Sequence, residues 1–253
     1  MNSFFQYIKN PFQPENRERF TLNTFLKTMG LSFVLVFLAS IFSVTLMKAG
    51  LLPAYWTPTK EINSVLLLFA ATVFVPLIEE ILFRLNLRIS KLNIALFLSL
   101  LIIVIVKIAF IRGIQITIYI GAIPIFGLIY FIIDRANLPM LKIETFWKKH
   151  FKFIFHFAAI TFGMLHLTNF ETINWWMIAI SPLLAAPYIS LGYILGYVRM
   201  KHGFVYGWPI HATVNSIAAI NAIHKGLLIV LGFAVVLIAI NYFIEKKKKR
   251  MEI

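Results

Sequence analysis

The segment FVPLIEEILFR, residues 74–84, carries two adjacent carboxylates and one arginine inside an otherwise apolar run. The rest of the chain is similarly apolar: of 253 residues, 60% are hydrophobic and only 13% are charged. Soluble domains have about 45–50% apolar and roughly 25% charged residues, so this chain has more apolar surface than a water-soluble core can bury. The composition therefore predicts that much of the protein's surface faces lipid.

Apolar segments long enough to cross a bilayer, which takes about 20 residues, recur along the chain. We predict an all-α fold, a polytopic transmembrane helix bundle of about eight helices. The predicted helices are 26–48, 62–83, 93–111, 114–133, 151–169, 175–198, 204–223 and 226–244. Residues 134–150 are predicted to form a sizeable polar loop, with Trp147 as an interfacial anchor. The predicted domains are a cytoplasmic N-terminal lead-in (1–25), a single transmembrane domain (26–245) and a basic cytoplasmic tail (246–253).

The formal charge of +14 is concentrated between the apolar runs, where basic residues set topology and attract anionic lipid headgroups. With both termini in the cytoplasm, the inner side receives the tail and Lys9, Arg17, Arg19, Arg88, Lys91, Arg135, Lys142, Lys148, Lys149, Arg199 and Lys201. The outer side receives only Lys48, Lys60, Lys107, Arg112 and Lys225. This asymmetry predicts a multi-pass protein of the cell membrane, typical of a prokaryotic inner membrane. The sequence contains no aromatic–basic module of the kind that binds nucleic acid.

In a helix, only one of the two adjacent acids has an ion-pair partner in its own segment. A charge at bilayer depth costs at least about 2.5–3.5 kcal/mol, so each acid needs a partner or a function. Residues four apart share a helix face, so Glu80 is predicted to pair with Arg84. Glu79 lies about 100° around the helix and has no such partner in its segment. Glu79 is therefore available for chemistry; the alternative is that both acids are structural and bond to neighbouring helices.

Two histidines complete the set of polar residues inside apolar segments. His166 ends TFGMLH (residues 161–166), where it shares a helix face with Phe162. His211 and Asn215 lie four apart in WPIHATVN (residues 208–215), so one helix face carries an imidazole and a carboxamide. Such a pair can donate hydrogen bonds to an oxyanion, ligate a metal, or simply bond one helix to another. The remaining histidines are predicted to be interfacial or solvated: His150, His156, His202 and His224.

Together the ordered motifs E-E-x-x-x-R, F-x-x-x-H and H-x-x-x-N resemble the CPBP family, the CAAX-protease and bacteriocin-processing intramembrane proteases. The resemblance covers roughly residues 62–220 and makes 26–245 a protease domain. It implies that Glu79 activates the attacking water, supported by Glu80 and Arg84. It further implies that His166 holds that water or a metal, and that His211 and Asn215 stabilise the tetrahedral intermediate. Leu85 departs from the glycine that commonly follows the motif arginine in this family.

The resemblance leaves the metal question open, because Zn²⁺ held by Glu79, His166 and His211 and a metal-free glutamate mechanism are both compatible with these residues. We expect an intramembrane endopeptidase that cleaves a membrane-associated peptide or protein tail. The first alternative is a non-catalytic protein of the same fold that acts in bacteriocin self-immunity or as a scaffold. The second is a proton-coupled transporter, since acids and histidines also form proton relays. The predicted topology places His166 nearer the outer end than Glu79 and His211.

Overall fold

The computed structural model describes residues 2–54, 69–110, 120–136 and 139–218. Within these ranges the chain is helical and contains no β-strand, which confirms the all-α prediction for this part. The predicted helix 226–244, the basic tail 246–253 and the start of the predicted helix 62–83 lie outside the described residues. The helices are α1 (Asn2–Lys9), α2 (Leu22–Lys48), α3 (Val75–Phe83), α4 (Lys91–Phe110), α5 (Ala122–Arg135), α6 (Met140–Lys149), α7 (Phe151–Leu165), α8 (Trp175–Lys201) and α9 (Phe204–Ala218).

Three helical segments in the described residues are long and apolar enough to cross a membrane. They are α2, the segment Phe151–Asn169 that contains α7, and α8. Helices α5 and α6 pass the same test as a pair but are bent by 105° at their junction, which makes them a broken fourth span or a re-entrant loop. The described residues thus hold three or four candidate spans, with α4 as a shorter apolar helix.

The prediction of a polar loop at 134–150 is wrong. Helix α5 continues to Arg135, and α6 occupies Met140–Lys149. Met140, Ile143 and Trp147 recur at helical spacing on the less exposed side of α6, so a short amphipathic helix is favoured over a loop. The Trp147 indole N–H donates a hydrogen bond to Asn86 O at 2.9 Å. The tryptophan therefore anchors α6 to the segment that follows α3.

Helices α7 and α8 approach closely along a line of three glycines, which we call the glycine seam: Gly163, Gly192 and Gly196. A Cβ atom on Gly163 would lie 2.5 Å from the backbone nitrogen of Ile189 on α8. A Cβ atom on Gly192 would lie 3.0 Å from Ala159 O on α7. Small residues at such contacts let helix backbones meet, as in membrane helix pairs generally. The seam fixes the depth of α7 against α8.

The N-terminal lead-in packs across one end of the helices. Tyr7 of α1 is buried against Phe155 and Tyr197, and Gln13 donates a hydrogen bond to Leu87 O. Glu18 N donates to Lys201 O, and the Glu18 carboxylate pairs with the Lys201 ammonium. We call this end of the bundle the basic end, because it gathers residues such as Arg88 and Lys201 that the sequence assigns to one side.

One histidine at the basic end is covered by the lead-in. Of the two environments predicted for His202, interfacial or solvated, its burial excludes the second, since only 6% of its surface is exposed. Its Nδ1 lies 3.1 Å from Glu18 O and its ring packs edge-on against Phe20. The lead-in covers His202. The sequence around α8 and α9 does not indicate that contact, because the lead-in is distant along the chain.

A carboxylate–histidine cluster between α3 and α9

Pro76 shapes the entrance to α3. Proline has no backbone N–H, so it cannot donate to a carbonyl of the preceding turn. The chain adopts a π-helical turn at Ala70–Phe74, in which Val75 N donates to Ala70 O five residues earlier. In that register the partner of Ala71 O would be Pro76, which has no proton to give.

Two side chains of α9 bond to the carbonyls of this π-helical turn. Asn215 Nδ2 donates to Ala71 O at 3.2 Å, and Trp208 Nε1 donates to Val73 O at 3.0 Å. Asn215 therefore supplies the donor that Pro76 lacks. These bonds align α9 with α3 and bring His211 opposite the two glutamates.

The predicted pairing of Glu80 with Arg84 is confirmed. Arg84 Nε lies 3.6 Å from Glu80 Oε1, and each side chain is only 1% exposed. The Arg84 guanidinium also lies over the Phe162 ring, with Cζ 3.9 Å from the ring centroid. Gly207 of α9 permits this burial, because a Cβ there would lie 3.0 Å from Glu80 Oε2. A buried carboxylate and a buried guanidinium thus compensate each other inside the helix bundle.

Glu79 occupies a different environment from its neighbour Glu80. Its side chain is 26% exposed, and its Oε2 lies 3.4 Å from Nε2 of the fully buried His211. Neither of these two atoms has a hydrogen-bond partner among the described residues. Glu79 therefore combines access from outside the cluster with one unsatisfied oxygen beside an imidazole.

His211 lies between the two carboxylates. Its Nδ1 is 3.2 Å from Glu80 Oε1, so a Glu80 carboxylate accepts a hydrogen bond from Nδ1–H. A neutral imidazole with Nδ1 protonated leaves a lone pair on Nε2, facing the Glu79 oxygen. A second proton, shared between Nε2 and Glu79, would turn that contact into a charge-assisted bond. With an imidazolium at His211, the charges of Glu79, Glu80, Arg84 and His211 sum to zero.

His166 adjoins this cluster through Phe162. Its Nδ1 donates to Phe162 O at 2.9 Å, which leaves Nε2 as the free acceptor nitrogen. Its ring stacks on Tyr188 at 4.3 Å between centroids, and Phe162 separates it from His211. Tyr188 is the central residue of the 27-residue α8, so His166 lies at mid-depth of that helix. His166 follows the last residue of α7, Leu165, and starts a 3₁₀ turn, so it lies near the end of its own segment and beside the midpoint of α8.

Sequence reasoning missed one further residue of this region. The positive-inside rule places Arg199 on the inner side as a topological charge, but in the structure it is 4% exposed and donates to Arg84 O at 3.1 Å and Leu85 O at 3.4 Å. It thereby holds the end of α3. Its position in the last turn of an apolar helix was the available signal.

The residues predicted as metal ligands do not complete a zinc site as they are arranged. Two ligand atoms of a tetrahedral zinc ion lie about 3.3 Å apart, and Glu79 Oε2 and His211 Nε2 match this separation. A catalytic zinc requires three protein ligands. In the part of the chain that the structure describes, no three His, Asp or Glu side chains are grouped to hold a metal ion. His166 therefore belongs to the surroundings of the pair rather than to a ligand set with it.

No family model, curated protein sequence or solved structure significantly matches this chain.

Proposed function

We propose that the protein is an intramembrane endopeptidase of the CPBP type in which Glu79 activates the attacking water. The observation that carries the proposal is the unequal environment of the two adjacent acids. Glu80 is buried in an ion pair with Arg84 and a hydrogen bond from His211, whereas Glu79 is partly exposed and has an unsatisfied oxygen beside His211. A general base must reach water and a substrate, and Glu79 meets that requirement.

The proposed reaction gives Glu79 the proton transfers and gives His211, Asn215 and His166 supporting hydrogen bonds. Glu79 accepts a proton from water as the water oxygen forms a bond to the peptide carbonyl carbon. A protonated His211 Nε2 donates a hydrogen bond to the resulting oxyanion, and Asn215 offers the amide proton that is not engaged with Ala71 O. Glu79 then returns its proton to the amine nitrogen as the carbon–nitrogen bond breaks. His166, with Nε2 as acceptor, orients the water.

The supporting residues keep this arrangement in place. Glu80 holds His211 by its Nδ1, Arg84 balances the charge of Glu80, and Arg199 fixes the end of α3. The substrate we propose is a peptide or protein tail associated with the bilayer, since the candidate spans around the site would face lipid. We also propose the full topology of about eight membrane helices in a cell membrane, with both termini cytoplasmic.

The experiment is cleavage of a broad library of fluorescent peptides by the purified protein in detergent, with and without a strong chelator. We expect cleavage that survives chelation and is lost in His166→Ala, with helical content unchanged in circular dichroism. Loss of cleavage on chelation, restored by added zinc, would contradict the metal-free reaction. Absence of any cleavage by the wild-type protein would favour a non-catalytic scaffold or immunity protein.

A further inference from the structure

Three arginines converge at the basic end of the bundle, outside the carboxylate–histidine cluster. Arg88 follows α3 and donates through Nη2 to Pro14 O of the lead-in at 2.5 Å. Arg199 contacts the same post-α3 segment by its bonds to Arg84 O and Leu85 O. Arg17 comes from the lead-in and lies against Gly203, where a Cβ would be 3.3 Å from its Nη1. We call this group the arginine triad.

In the described part of the chain, no carboxylate is paired with the triad. Among the described residues no acid lies within ion-pair distance of Arg17, Arg88 or Arg199. The carboxylate of Glu18 is engaged with Lys201, and Glu80, whose field reaches Arg199, is engaged with Arg84 and His211.

The three guanidinium groups also act on one another. Arg199 experiences the positive charge of both Arg17 and Arg88. Burial, and then the charge of Arg17, lower the pKa of Arg88. Arg88 Nε is buried without a hydrogen-bond partner. Like charges held together with an unused donor form a site that an anion would stabilise.

The position of the triad indicates which anion. It lies where α3 and α8 end and α9 begins, beside the buried His202. If α8 crosses a bilayer, its last turn lies at the level of the lipid headgroups, where phosphate is the abundant anion. Basic pockets between membrane helices at this level bind anionic headgroups, and guanidinium groups match phosphate oxygens in pairs.

We propose that Arg17, Arg88 and Arg199 bind the phosphate group of an anionic phospholipid. The bound lipid joins the lead-in, the post-α3 segment and the last turn of α8 at one point. This role does not rest on the peptidase reaction, because among the described residues none of the three arginines contacts Glu79 or His211, although Arg199 also supports the end of α3. Binding at this point stabilises the end of α3, to which Arg199 is bonded.

The test measures the unfolding midpoint of the purified full chain in mixed micelles, as a function of added phosphatidylglycerol, with phosphatidylcholine as the neutral lipid. For the wild type we expect a saturable rise with phosphatidylglycerol alone. For Arg17→Gln/Arg88→Gln the half-saturating amount should rise about 25-fold, because each arginine near an anionic lipid contributes a factor of about five.

The matched control is Lys148→Gln/Lys149→Gln, which removes the same charge from exposed positions of α6. Its half-saturation should equal that of the wild type. If the double arginine variant does not fold, the single exposed Arg17→Gln replaces it, with an expected change of about fivefold. Equal behaviour of the arginine and lysine variants would overturn the proposal in favour of diffuse attraction. Full stabilisation by inorganic phosphate, with no further effect of the lipid, would overturn it in favour of a free-phosphate site.

Discussion

The glycine seam between α7 and α8 and the contact between α3 and α9 hold helices together in opposite ways. At the seam, backbones meet over glycines, and a Cβ on Gly163 would lie 2.5 Å from Ile189 N. Between α3 and α9, long polar side chains bridge the helices, as Asn215 does to Ala71 O and His211 to Glu80.

The two contacts differ in how well their polar atoms are satisfied. The seam has no room for an added atom at Gly163, and a side-chain hydrogen bond between His156 Nδ1 and Tyr193 Oη, at 3.0 Å, lies beside it. Its role is to fix the relative position of α7 and α8. The α3–α9 contact contains buried polar atoms without hydrogen-bond partners, Glu79 Oε2 and His211 Nε2 among them. Buried unsatisfied groups are costly, and the proposed function gives the Glu79–His211 pair a reason to be left unsatisfied.

We expect the largest loss of stability from a substitution that removes the buried ion pair next to the α3–α9 contact. Glu80→Ala should destabilise the protein by about 3–5 kcal/mol, because it leaves Arg84 buried and unpaired. Chemical unfolding in a mild detergent measures this loss. The control is Glu18→Ala, which removes an exposed ion pair to Lys201 and should cost less than about 1 kcal/mol. Equal stability of Glu80→Ala and the wild type would refute the ion-pair argument.

A substitution in the glycine seam should cause the next largest loss of stability. Gly163→Ala should destabilise by about 1–3 kcal/mol, because its Cβ overlaps the backbone of Ile189. The same unfolding assay applies. Gly127→Ala in α5 is the matched control, since no atom lies within 4 Å of its Cβ position and alanine favours a helix. If both alanines leave stability unchanged, the two helices do not approach as closely as described.

A smaller loss of stability is expected when the hydrogen bond from Asn215 to Ala71 O is removed. Asn215→Ala should cost about 1–2 kcal/mol, because Ala71 O loses its donor. In a Pro76→Ala background the backbone N–H of residue 76 becomes available to that carbonyl, so the same substitution should cost less. A double-mutant cycle measures the coupling. Independent, additive costs would show that Asn215 does not compensate for Pro76.

Residue spacing within a single helix was enough to predict several features of the structure. The four-residue separation of Glu80 and Arg84 predicted their ion pair, and the 100° offset of Glu79 predicted its separate environment. The apolar run at 175–198 predicted α8. These features follow from helix geometry, which any apolar segment of this length obeys.

Contacts between residues of different helices could not be predicted from spacing within one helix. The stacking of His166 on Tyr188, the burial of His202 under the lead-in and the bonds of Arg199 to the end of α3 each join residues from different helices. Helix α6 was missed because its charged residues outweighed the three apolar positions on one side. The π-helical turn before Pro76 follows from the missing N–H, but its bonds to Asn215 and Trp208 require the fold.

The central claim is that Glu79 performs chemistry while its neighbour Glu80 maintains structure. The most direct measurement is peptide cleavage by Glu79→Gln and by wild-type protein, each checked for its unfolding midpoint in the same detergent. We expect Glu79→Gln to keep the wild-type midpoint and to lose cleavage entirely, because the amide cannot accept the proton of water. Cleavage by folded Glu79→Gln at the wild-type rate would contradict the claim.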